Sequence, residues 1–179
     1  IQRMVGTAEV VTPKHPDKIC DRISDAILDE CLKQDPNTRA AIETMGGHGI
    51  ITVTGELTTK AFVDVPEVVK KVYGKDIGVQ TNIVRQSPEI ARGVNKGGAG
   101  DQGIMIGYAC NDNKEYVPQE YYLARKLAQH IYEKYPFDGK TQVTMNGNSL
   151  RVVASFCCTP NSELRDLVVE FFDQYPEYR

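Results

Sequence analysis

Stretches of helical period and stretches of strand period alternate along this 179-residue chain, with turn residues between them and no low-complexity linker. That alternation restricts the fold to strand pairs interleaved with helices. Pro16 suits the first position of a helix in which Ile19, Ile23, Ala26, Ile27 and Cys31 share one face, ended by Asp35-Pro36-Asn37. Ala40–Met45 and Gly49–Leu57 read as strands joined through Gly46-Gly47-His48-Gly49. Asp64 and Pro66 open a second helix carrying Val68, Val69 and Val72, closed by Gly74. Thr81–Arg85 reads as a strand feeding a glycine-rich loop, and Gln102–Cys110 as the strand that follows it. Pro118–Tyr135 is a third helix, with Tyr121, Leu123, Ala124, Leu127, Ala128 and Ile131 available for burial. Asn146-Gly147 marks a hairpin between Thr141–Met145 and Leu150–Cys157, and Thr159-Pro160 starts a last helix striped with Leu164, Leu167, Val168, Phe171 and Phe172. The expected class is α+β, layered sheets with helices on one face. The expected division is a first unit over 1–110 and a second over 111–179, incomplete without a following segment.

Charge and cysteine usage narrow the function. A net charge of −3 argues against a nucleic-acid surface, while local Lys and His can still bind an anion. No apolar run approaches the ~20 residues of a bilayer span, so no membrane partner is expected. Ile1-Gln2-Arg3-Met4 has no signal-peptide layout, and Met4 suits a native start with three further residues ahead of it. Five cysteines without a C-x-x-C pair read as reduced thiols of a cytoplasmic protein, and three histidines leave no zinc spacing. Neither a P-loop, a G-x-G-x-x-G fingerprint nor a Ser-His-Asp pattern is present.

Several polar positions can do chemistry. His15-Pro16-Asp17-Lys18 stands where a loop meets a helix, whose free N–H groups favour anions. His15 and Lys18 can donate to phosphate oxygens, and Asp17 can hold a magnesium ion bridging them. The same tetrapeptide also suits a capped helix start with a surface lysine. Asp21, Asp25 and Asp29 read as a solvated helix face rather than a metal ladder. Glu43 and Glu56 are acids inside strands, either facing solvent or meeting cationic groups in a cleft, and Asp101 is a further acid for an ammonium. Asp138-Gly139-Lys140 is ordinary turn chemistry that can also reach a nucleotide. Gly93, Gly97, Gly98 and Gly100 make 86–103 either a lid over a cleft or a surface loop.

His15-Pro16-Asp17-Lys18, Gly55-Glu56-Leu57-Thr58-Thr59, Gln86-Ser87-Pro88-Glu89-Ile90 and Gly98-Ala99-Gly100-Asp101-Gln102-Gly103, in this order, resemble the methionine adenosyltransferase (S-adenosylmethionine synthetase) family of the bacterial and eukaryotic type. The resemblance runs from Thr7 to about Glu170. It implies repeated α+β units and a reaction in which the sulfur of L-methionine attacks C5′ of ATP. Tripolyphosphate leaves and is hydrolysed to pyrophosphate and phosphate. It further implies that His15 contacts the oxygen leaving C5′, that Asp17 binds Mg2+ and that Glu43 belongs to a K+ site. Glu56, Gln86 and Asp101 would hold methionine, while Lys18, Asp138 and Lys140 would contact ATP, Lys140 as a catalytic cation beside His15. Gln86 would open the gating loop over 86–103.

Thr12-Pro13-Lys14 stands where the family usually has Ser-Glu-Gly, which adds charge and stiffness to the approach to His15. The family's second half, with a Gly-Gly-Gly-Ala-Phe-Ser-Gly-Lys-Asp-like loop, has no counterpart within these 179 residues. A tripolyphosphate of about four negative charges would be poorly neutralised by Lys18, Lys140 and one magnesium. The expectation is the N-terminal portion of the enzyme, a fragment or one chain of a split enzyme. It would act as a homo-oligomer, or as a hetero-oligomer with a chain supplying the missing half. The alternative is a non-catalytic regulatory or binding subunit derived from the family.

Overall fold

A computed structural model describes residues 5–178, so Met4 and the last residue of the tail lie outside the described residues. Two compact units make up the chain: Pro16–Met105, and a discontinuous one of Ile1–His15 with Ile106–Arg179.

In the Pro16–Met105 unit, helix α1 (Pro16–Leu32) and helix α2 (Val65–Tyr73) cover one face of a three-stranded sheet. The sheet runs β2 (Arg39–Gly47), β3 (Ile50–Thr58), β4 (Gly78–Val84), with β2 and β3 antiparallel and β3 and β4 parallel. The parallel pair needs a crossover, and α2 supplies it. His48 and Gly49, both at positive φ, make the β2–β3 turn, which suits the twist of a two-residue hairpin. Asp64 caps α2 by accepting from the Glu67 N–H at 3.0 Å, and Gly74 ends it in the left-handed region. Ile23, Ile27, Val53 and Val69 are fully buried between helices and sheet.

Asp35 holds the turn between α1 and β2 against the end of β3. Its carboxylate is buried, accepting from Asn37 N at 3.0 Å, Lys60 N at 2.8 Å and Thr59 Oγ1 at 3.3 Å. These donors, the Lys60 N–H foremost, hold its pKa below the ordinary 3.8.

In the other unit, helix α4 (Gln119–Lys134) and helix α5 (Asn161–Asp173) cover one face of a sheet ordered β1 (Gly6–Val11), β5 (Gly139–Asn146), β6 (Ser149–Phe156), all antiparallel. Leu123, Leu127, Ile131 and Val143 are fully buried at its centre. Thr12, just past β1 and 1 % exposed, ties the N-terminal strand to the turn that leads into β5. Its N–H donates to Gly139 O at 2.9 Å, its hydroxyl donates to Phe137 O at 2.9 Å, and the same oxygen accepts from Gly139 N at 3.1 Å.

The α+β class and one-sided helical layers are as expected. Four local expectations change. Gln102–Cys110 is not a strand, because neither sheet offers it a neighbour; Ile104, Met105 and Ile106 are 93, 96 and 89 % exposed. The β5–β6 turn is Gly147–Asn148, one residue later than read, with Gly147 at positive φ. The 86–103 loop contains a short helix, α3 (Pro88–Val94). β1 was not anticipated, and its pairing with β5 carries the N-terminal residues into the same compact unit as 106–179. The contiguous 1–110 and 111–179 division therefore differs from the compact units.

Thr12→Val keeps the side-chain shape and removes the hydroxyl, leaving Gly139 N–H and Phe137 O each short of a buried partner. Loss of about 1–3 kcal/mol of stability is expected, read by urea denaturation. Because the folded pKa of Asp35 is depressed, its contribution is complete above the unfolded value and is lost as pH falls through the folded one. Asp35→Asn should lower the melting temperature at pH 7, with the gap from the parent narrowing below about pH 4. A gap of equal size at pH 7 and pH 3 would contradict this account.

Candidate functional site

The Thr12 knot places the approach to His15 beside the Asp138 turn. His15 N donates to Thr12 O at 3.1 Å, and Thr12 bonds both residues flanking Asp138. Asp138 is half-buried, and its carbonyl accepts from Cys157 N at 2.8 Å where β6 ends. Gly139 admits no side chain, because a Cβ would lie 2.4 Å from the Phe156 ring.

Lys140 occurs one residue into β5, in register with Val11 and Ser155, on the sheet face opposite the helices. Its Nζ meets Glu9 Oε1 at 2.7 Å, with side chains 42 and 55 % exposed. Such a half-exposed pair contributes roughly 0–1 kcal/mol. Glu9 was not singled out from the sequence. The signal for it was the alternation of Gly6, Ala8 and Val10 with Thr7, Glu9 and Val11, which turns the second set to the open face.

In the Pro16–Met105 unit, Asp17 and Lys18 occupy the first turn of α1, where the helix dipole favours negative charge. Both are exposed, and Lys18 pairs with Asp21 at 3.0 Å. Glu43 and Glu56 share the open face of the β2–β3–β4 sheet with Thr52, Thr54, Gln80 and Asn82. Glu43 is opposite Thr54, and Glu56 opposite Ala41. Glu43 is exposed and Glu56 half-buried. Just before Glu56, Gly55 has φ 128°, and a Cβ there would stand 2.0 Å from Ala41 O, so only glycine fits.

Gln86 begins the glycine-rich segment, its N–H donating to Thr58 Oγ1 at 3.3 Å. Its Oε1 is buried with no hydrogen-bond partner among the described residues. After α3, Gly97 turns at φ 83° and Gly98 N donates to Gly93 O at 3.0 Å. The segment thereby folds back until a Cβ on Gly100 would lie 3.7 Å from Gln86 Nε2. Asp101, the next residue, is exposed and accepts from Gln102 N at 2.7 Å.

The structure thus gathers His15, Asp138 and Lys140 in one unit, and Glu43 and Glu56 on one sheet face in the other. It draws Gly100 onto Gln86. Among the described residues, no group of three or more His, Cys, Asp or Glu forms a ready metal cage. A single exposed carboxylate at a helix start suits Mg2+, which takes one or two protein carboxylates and completes its shell with phosphate and water.

The boundaries between the units fall at His15–Pro16, inside the first of the four segments noted in the sequence, and at Met105–Ile106, two residues past the last. The profile of the S-adenosylmethionine synthetase N-terminal domain matches residues 3–95, and that of its central domain residues 96–155. An S-adenosylmethionine synthase of Clostridium tetani is 43 % identical over 178 residues, covering 80 % of this chain and 46 % of that protein. One of Brachyspira hyodysenteriae is 38 % identical over 199 residues, covering 90 % and 50 %. The chain spans about half the length of these curated relatives. With more than half of its length matched by the N-terminal profile alone, the chain belongs to the S-adenosylmethionine synthetase family.

Proposed function

We propose that this chain forms the methionine side and part of the phosphate side of a methionine adenosyltransferase site. The observation that carries the reading is the Thr12 knot, which brings the His15 approach and the Asp138-Gly139-Lys140 turn together within a chain of this family. Methionine sulfur attacks C5′ of ATP, so the reaction needs no protein nucleophile. The protein supplies alignment and stabilisation of a leaving polyanion.

His15 donates toward the oxygen leaving C5′, and Lys140, exchanging Glu9 for phosphate, holds the triphosphate. Lys18 adds a further cation, and Asp138 accepts from the nucleoside. Glu56 and Asp101 take the methionine ammonium, and the unpartnered Oε1 of Gln86 accepts from the same group. Asp17 would hold Mg2+ and Glu43 would contribute to K+ binding. Bound there, these cations supply neutralisation of the tripolyphosphate.

One chain offers few cations for a tripolyphosphate, so the site is completed by a further segment or chain, in a homo- or hetero-oligomer. A cytoplasmic location is supported by the thiols, since all five cysteines are free, as suits a reducing compartment. Among the described residues no helix is long and apolar enough to cross a membrane.

The test is incubation of the chain with ATP, methionine, Mg2+ and K+, with S-adenosylmethionine measured by mass spectrometry. Product above an Asp17→Ala control is expected if the chain completes its own site by association. Its absence from natively folded, saturated protein would sink self-sufficiency and direct the search to the missing half. In either case Lys140→Ala should weaken ATP binding about tenfold by calorimetry, the loss of one charge-assisted phosphate contact. Unchanged affinity would remove Lys140 from the phosphate site.

A further inference from the structure

The segment after Gln86 lies on the protein with little apolar support. No residue of α3 is buried. Most of its hydrogen bonds are its own: Ser87 Oγ accepts from Ile90 N, Asn95 N donates to Ala91 O, and Lys96 and Gly98 donate to Gly93 O. Among the described residues, one bond leaves the segment for the sheet. Arg39 Nη1, at the first residue of β2, donates to Asn95 Oδ1 at 2.5 Å. Arg39 is opposite Thr58, whose hydroxyl receives the Gln86 N–H. Both ends of the 86–95 stretch are therefore fastened to the same end of the sheet, Gln86 through Thr58 and Asn95 through Arg39.

We propose that Arg39 is a positioning residue that latches the 86–103 segment closed through Asn95. The guanidinium is turned so that Nη1 reaches Asn95 while Nε stays buried without a hydrogen-bond partner. The bond to Asn95 is the side-chain hydrogen bond that orients Arg39 among the described residues. The acceptor is a neutral amide, not a carboxylate. The bond is also exposed, so the latch is of modest strength and water competes for both partners. Its consequence for catalysis rests on the proposed reading of Gln86 as a methionine contact: releasing Asn95 frees the segment that Gln86 begins.

Trypsin reads the latch without any ligand, because Arg92 and Lys96 lie within the segment and Lys75 lies outside it. Asn95→Ala should be cut at Arg92 and Lys96 about fivefold faster than the parent, with cutting at Lys75 unchanged. Asn95→Asp should be cut several-fold more slowly, since a carboxylate adds charge and a second acceptor for Arg39. Asn95 also caps α3, and a negative charge at a helix C-terminus loosens the helix. If capping alone mattered, Asn95→Asp would be cut faster, and that result overturns the latch. Equal rates in all three proteins overturn it as well. The benefit of Asn95→Asp should disappear in an Arg39→Gln background; its persistence there would exclude Arg39 as the partner. Slower cutting of Asn95→Asp with unchanged methionine affinity would keep the latch and remove the role given to Gln86.

Discussion

Each three-stranded sheet is roofed by helices on one face only, and most of the structure follows from that one-sidedness. Burying Ile51 and Val53 of β3 against α1 and α2 turns Thr52 and Thr54 outward. Burying Val143 and Met145 of β5 against α4 turns Lys140, Gln142 and Thr144 outward. A one-residue slip of either ladder would exchange the two sets, so the hydrophobic effect that fixes the cores also fixes which polar groups line the open faces. Glu43, Glu56 and Lys140 are held there by register, with no dedicated hydrogen bond needed to aim them.

Where register ends, hydrogen bonds take over. Thr12 and Asp35 are both buried, and each satisfies backbone groups that no ladder reaches. Thr12 answers for Phe137 and Gly139 across 125 and 127 residues of sequence, and Asp35 for Asn37 and Lys60. Their positions differ in consequence. Asp35 secures the turn that leads into β2 against the end of β3, whereas Thr12 joins two of the segments that carry candidate residues. A hydroxyl can serve at this junction because it donates to one carbonyl and accepts from one N–H at once, as a valine or alanine cannot.

Legibility in the sequence tracked the distance over which each element is decided. α2 was readable nearly to the residue, because Asp64, Pro66 and Gly74 are local signals acting within one turn. The antiparallel pair β2 and β3 was readable because a two-residue turn joins strands that alternate. β1 was not, because six residues with one acid resemble a loop until β5, some 130 positions away, gives them a partner. Gln102–Cys110 failed the opposite way. Its composition favours a strand, yet a strand exists only beside another, and the described residues provide none. α3 was hidden by the glycines around it, although Ser87-Pro88 is a sound helix start. The candidate residues were singled out by type and by the family resemblance; Glu9 and Arg39 were not, since their partners are remote in sequence.

The exposed run Ile104–Ile106 and the glycine segment before it pose one physical question: what holds a site segment that no core covers. Apolar burial is not available to α3, and ladder bonds are not available to 102–110. What remains is a small set of polar contacts, each of modest net strength because water competes for the same groups. Segments held in this way open at low free energy. The same economy leaves Gln86 Oε1 buried and unpartnered. With no core beneath it and no ladder beside it, the segment depends on each of its few fastenings, so the single bond from Arg39 to Asn95 weighs more on it than the same bond would inside a packed unit.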